Sequence, residues 1–113
     1  MSIEITARHM HATEDLQDYA HRKAEEFLEL FPAITHIHVI LDVEKHGKRH
    51  TAEVVFQMKR HGTLEAAALS DNIRMSMDMA FEKAETQARK LREKVQDHKS
   101  VMKKAQSRRV QGV

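Results

Sequence analysis

The stretch from Ser70 to Lys104 constrains this chain more than any other. Met77, Ala80, Ala84, Ala88, Leu91 and Val95 recur every three or four residues, which sets them on one face of an α-helix. Lys83, Gln87, Lys90 and Lys94 follow the same rhythm one residue earlier, and no acidic side chain interrupts them. A long helix is therefore expected, packed by one edge and presenting a row of cations along the next. Such a row is a candidate anion-binding surface. A solvated face explains the same pattern, and charge spacing alone does not separate the two.

The distribution of charge adds direction. The net charge is only +2, but residues 83–113 carry ten Lys or Arg against Glu85, Glu93 and Asp97. The first 82 residues carry nine basic and fourteen acidic side chains. A basic C-terminal end suits an anionic partner. At 113 residues the chain has room for one domain with a modest core. The absence of cysteine excludes disulfides, thiolate metal sites and a thiol nucleophile. No apolar run resembles a signal peptide or a membrane span, so the expected location is the cytoplasm.

Residues 2–8 alternate, with Ile3, Ile5 and Ala7 on one side, and predict a half-buried strand. Thr13 before Glu14 and Asp15 marks a helix start. That helix carries Leu16, Ala20, Ala24, Phe27 and Phe31 inward, and Pro32 stops it. Its outer face is mainly acidic (Asp18, Glu25, Glu26, Glu29), with Arg22 and Lys23 as exceptions. A second strand over 34–44 places Ile37, Val39, Leu41 and Val43 inward. The turn 45–48 leads to a strand with Ala52, Val54, Phe56 and Met58 inward. A turn at 60–63, with Gly62 supplying an unusual φ, leads to a short strand through Leu64, Ala66 and Ala68. Ser70 and Asp71 are expected to cap the long helix.

The order is β-α-β-β-β-α. It predicts an α+β fold: a four-stranded mixed sheet with both helices on one face, as in double-stranded-RNA-binding domains. The helical link between the first two strands requires a parallel crossover, and the tight turns make the rest antiparallel. The opposite face stays polar, with Glu4, Thr6, His36, His38, Thr51, Glu53 and Gln57. One domain is expected over 1–99, followed by a basic, flexible tail over 100–113.

Nine histidines invite a metal hypothesis. His36 and His38 share a face, and His9 and His11 end the neighbouring strand, from which they could approach the pair. A zinc site needs three or four ligands with a fixed second shell, and no ligand-spacing motif is present; no metal or other cofactor is expected. The chain also lacks a nucleophile elbow, a P-loop and a dinucleotide fingerprint, so no enzyme is expected. The aromatics are Tyr19, Phe27, Phe31, Phe56 and Phe81, mostly at core positions. That count argues against binding of single strands by base stacking and favours recognition of RNA shape and phosphate by a basic helix.

The segments I-E-I-T-A, A-T-E-D-L-Q-D-Y-A, I-T-H-I-H-V-I-L-D-V-E-K and S-D-N-I-R-M-S-M-D-M-A-F-E-K-A-E-T-Q-A-R-K-L-R-E-K carry a resemblance across residues 1–99. Together they resemble the ribosome hibernation-promoting factor family in its short, single-domain form, also described as the ribosome-associated inhibitor or sigma-factor modulation family. The resemblance implies a stationary-phase or stress factor on the small ribosomal subunit, lying where messenger RNA and the A- and P-site transfer RNAs bind. It implies RNA contacts at Lys23, Lys83, Lys90, Arg92 and Lys94, with Arg22 and Arg89 beside them and Gln87 on the same stripe. The chain departs from the family pattern at Asn72-Ile73-Arg74, where members often have Asp-Met-Tyr. It departs again at Glu26, a basic position in relatives.

The sequence thus points to a non-enzymatic translation inhibitor that binds ribosomal RNA at the decoding region. The expected partners are the small subunit and its RNA, with no membrane or small-molecule substrate, and the free protein is expected to be a monomer. Two rivals of other classes are a protein-interaction module using the open sheet face and a metal-dependent enzyme.

Overall fold

The computed structural model describes residues 2–44 and 49–104, with residues 93–104 by backbone alone. Six elements follow one another: β1 (Ser2–Arg8), α1 (Glu14–Leu30), β2 (Ile34–Val43), β3 (His50–Met58), β4 (Gly62–Ser70) and α2 (Ile73–Lys104). The strands form one sheet in the order β1-β2-β3-β4. β1 runs parallel to β2, and the other two pairings are antiparallel. This is the α+β fold and mixed sheet that the alternating patterns predict.

Local chemistry explains each boundary. Thr13 Oγ1 accepts the Leu16 amide at 3.2 Å, and Glu14 and Asp15 occupy the positive first turn of α1. Pro32 follows the last turn and cannot continue the helix. Between β3 and β4 the chain reverses through two residues of positive φ, Arg60 at 73° and Gly62 at 80°. The second suits glycine, which has no Cβ to clash there. The β2–β3 connection is flanked by an amide-to-carbonyl bond from Glu44 to Arg49 at 2.9 Å; the polar turn expected at 45–48 lies outside the described residues.

One sheet face is apolar, and both helices cover it. Ile37, Val39 and Leu41 of β2, Ala52, Val54 and Phe56 of β3, and Ala66 and Ala68 of β4 are buried. α1 lies over β1 and β2, and α2 over β4 and β3. Phe27 of α1 sits at the junction. Its ring centroid is 5.3 Å from Phe31, 5.2 Å from Phe56 and 5.9 Å from Phe81, all in tilted or edge-on geometry.

The start of α2 differs from the sequence expectation. The capping side chain is Asn72, whose Oδ1 accepts the amides of Arg74 at 2.9 Å and Met75 at 3.2 Å. Ser70 cannot serve, because it is still paired with His50 in the sheet. Its hydroxyl instead bonds Ser76, which is fully buried and donates to the His50 carbonyl at 2.6 Å. This pair of hydroxyls ties the first turn of α2 to the start of β3. At the other end, α2 continues through Lys104, and the rest of the expected tail, residues 105–113, lies outside the described residues.

Phe27→Ala removes the ring that joins α1, α2 and the sheet. It is expected to destabilise the fold by about 3–5 kcal/mol in urea denaturation.

Candidate nucleic-acid interface

The buried stripe of α2 is Met77, Ala80, Phe81, Ala84 and Ala88. At about 100° per residue, the cations beside it fall on two flanks roughly half a turn apart. One flank faces the edge of β4, and the other faces α1.

On the β4 side, Lys83 Nζ donates to the Ala67 carbonyl at 3.0 Å. Gln87 Nε2 donates to the Glu65 carbonyl at 2.9 Å. These are alternate residues of an edge strand, whose outward carbonyls have no strand partner. The two side chains therefore clamp α2 to the sheet and cover its edge. Lys90 continues the row, is exposed, and has no ion pair among the described residues. The side chain of Lys94 lies outside the described residues.

On the α1 side, Arg92 packs its guanidinium 4.9 Å from the centre of the Phe31 ring and reaches the Leu30 carbonyl at 3.4 Å. It thus adds a cation at the negative end of α1, where the last turn has no basic residue of its own. Arg89 bonds Glu85 at 2.8 Å, one helical turn back. Nearer the start of α2, Asp78 accepts the Tyr19 hydroxyl at 2.5 Å and pairs with Lys23 at 3.3 Å. Arg22, Lys23 and Arg74 all stand within 6.0 Å of the Tyr19 ring centre.

The structure thus brings Arg22 and Lys23 of α1 together with the α1-facing flank of α2. It keeps Lys83, Gln87 and Lys90 on the opposite flank. Sequence reasoning missed Tyr19, Arg74 and Asp78 as parts of this surface. A signal existed for the first: Tyr19 lies three and four residues before Arg22 and Lys23, a spacing that places all three on one helical face.

The hydrogen bond to Asp78 raises the Tyr19 pKa, and burial and the carboxylate charge add to the shift; Arg74 and Arg22 act against it. The neutral phenol is therefore the form that the fold favours. Its contribution to stability is present below the unfolded tyrosine value and is lost as pH rises through the folded one.

The histidines of the open face are arranged differently from expectation. His36 and His38 do share that face, each 3.9 Å from the Glu4 carboxylate, and their other ring nitrogens meet the hydroxyls of Ser2 and Thr6. His9 does not approach them. Because β1 runs parallel to β2, the end of β1 lies beside Asp42, and His9 bonds that carboxylate at 2.9 Å. This bond is the main cause of the lowered Asp42 pKa.

Comparison with known proteins adds a family to this geometry. The family described as Sigma 54 modulation protein / S30EA ribosomal protein matches residues 3–96. The chain belongs to this family. Its fold is that of a ribosomal subunit interface protein from Coxiella burnetii, with a TM-score of 0.69 and 23% identity over 81% of this chain and 98% of that one. The N-terminal domain of Protein Y from Thermus thermophilus superposes equally well, with a TM-score of 0.69 and 19% identity over 80% of this chain and 99% of that one. No curated protein sequence is significantly similar. The match takes in α1, all of the sheet but its first residue, and α2 as far as residue 96, so both flanks of α2 through Arg92 lie within the matched region.

Two outcomes follow from this geometry. Lys83→Ala with Gln87→Ala is expected to lose about 1–3 kcal/mol in urea denaturation, at roughly 0.5–1.5 kcal/mol for each of the two bonds. The double variant is also expected to sediment as larger species at high concentration, since the β4 carbonyls become open to strand addition; an unchanged unfolding midpoint would contradict the clamp. Tyr19 is the single tyrosine of the chain, so an ultraviolet titration reads it alone. Its midpoint is expected above the ordinary tyrosine value in the native protein and lower than the native one in Asp78→Ala.

Proposed function

We propose that this protein is a ribosome hibernation factor that occupies the decoding region of the small ribosomal subunit and blocks messenger RNA and the A- and P-site transfer RNAs. The observation that carries the reading is the match to an S30EA ribosomal protein family across residues 3–96. The chemistry of α2 supports it. From Lys83 onward the helix carries a large excess of cations, and Lys90 projects into solvent with no carboxylate beside it among the described residues. A rigid helix with cations at helical spacing meets successive phosphates of a folded RNA without reading its bases.

In this reading Lys90 and Lys94 contact phosphate directly, together with Arg22 and Arg89. Lys83 and Gln87 set the position of the helix, and Arg92 anchors it to α1. Lys23 is shared between Asp78 and the RNA. The protein acts by occlusion in the cytoplasm as a stress or stationary-phase factor, without catalysis or a cofactor, and is a monomer until it binds. No described helix is long and apolar enough to cross a membrane.

The test is pelleting with small subunits, together with translation in vitro. Lys90→Glu with Lys94→Glu is expected to abolish inhibition and to lower the salt slope of binding by about two units, one per lost phosphate contact. Folding should be nearly untouched, because exposed charges contribute well under ~1 kcal/mol each. Glu25→Lys with Glu29→Lys, on the acidic face of α1, should leave binding intact or stronger. A folded Lys90/Lys94 variant that still pellets and inhibits would overturn the assignment. Binding by the native protein that is insensitive to salt would point instead to a protein-protein contact through the sheet face.

A further inference from the structure

Four of the five aromatic side chains belong to the core. Tyr19 does not. It lies half-buried on the shoulder between α1 and the first turns of α2, and three cations surround its ring. Arg74 is the nearest, with its guanidinium carbon 4.8 Å from the ring centre, and it remains exposed. Asp78 is engaged by the Tyr19 hydroxyl and by Lys23, while Arg22 and Arg74 have no carboxylate partner among the described residues. A shallow groove lined by Lys23, Met75 and Met79 and by the carboxylates of Asp78, Glu82 and Glu85 opens beside this cluster. Met75 and Met79 are 51% and 36% exposed on the outer side of α2.

We infer that this shoulder binds one unpaired RNA nucleotide, with its base stacked on the Arg74 guanidinium that Tyr19 supports and its phosphate held by Arg22. The inference rests on the RNA-binding reading above and deepens it.

A guanidinium packed on a phenol ring is held in one orientation, so its planar outer face is ready to receive a base. The phenol supplies the support from below and is itself fixed by Asp78. The uncompensated charges of Arg22 and Arg74 attract the phosphate, and the thioethers of Met75 and Met79 give the base an apolar wall. A paired base has no free face to offer, so the site selects a nucleotide outside a helix. The lysine row takes phosphates alone, whereas this site distinguishes a nucleotide with a base from one without.

The test uses the full-length protein and two fluorescein-labelled RNA hexamers, one of adenylates and one abasic, with the same phosphates. Anisotropy titrations should show the native protein binding the adenylate hexamer about tenfold more tightly than the abasic one, a typical value for one stacked base. Arg74→Lys keeps the charge and loses the plane, and it should erase that preference with the salt slope unchanged. Tyr19→Leu removes the support and should do the same, while Lys90→Glu weakens both hexamers equally. Equal binding of the two hexamers by the native protein, binding of neither, or a preference retained in Arg74→Lys would overturn the inference. Small-subunit pelleting of the native protein, run in parallel, separates the two levels. Its persistence without a base preference removes only this site, and its absence removes the RNA-binding reading itself.

Discussion

The close contact between α2 and the sheet is the constraint on which the rest of the structure depends. Three of the buried positions on this helix are alanines, Ala80, Ala84 and Ala88. Small side chains let the helix backbone lie near the strands. Only at that distance do Lys83 and Gln87 reach the outward carbonyls of β4. The same approach seats Phe81 against Phe27 and so brings α1 into register with α2. Larger residues at the alanine positions would lift the helix, break both edge bonds and open the aromatic junction together.

That geometry sorts the cations by task. A charge stripe in the sequence looks uniform, yet its members meet different surroundings once the helix is docked. Lys83 lies over a strand edge, Lys90 over solvent, and Arg92 over the end of α1. Arg92 offsets the negative end of a helix that has no basic residue in its own last turn. Charges fixed in this way hold the two helices in place, while Lys90 stays exposed to solvent. The uncovered sheet face carries Glu4, Asp42 and Glu53 together with Arg8, His36 and His38.

The fold was legible because each element repeats its own period. Ile37-Val39-Leu41 and Ala52-Val54-Phe56 alternate cleanly, so strand faces follow from the pleat. The apolar rhythm of α2 holds from Met77 to Ala88, so one face had to be buried. Cap identity was less legible. Ser70, Asp71 and Asn72 are all good capping residues, and the choice fell to Asn72 because the β3 pairing holds Ser70 within the strand. The histidines failed for a similar reason. His9 lies near His36 only if β1 pairs in another register, and the parallel register sends it to Asp42 instead.

Taken by itself, the sequence determined the element order, the sheet's apolar face and the basic character of α2, because these depend on local period and composition. It also carried the family resemblance, since that is spread along the whole chain. Tertiary structure alone decided which cations are clamps and which are free, since Lys83 and Lys90 are equivalent until a strand edge lies beside one of them. It alone placed Arg74 over Tyr19, residues that lie on different helices and far apart in the chain. A one-dimensional pattern records what each segment can bury, and the partner of a side chain is fixed only when two segments meet.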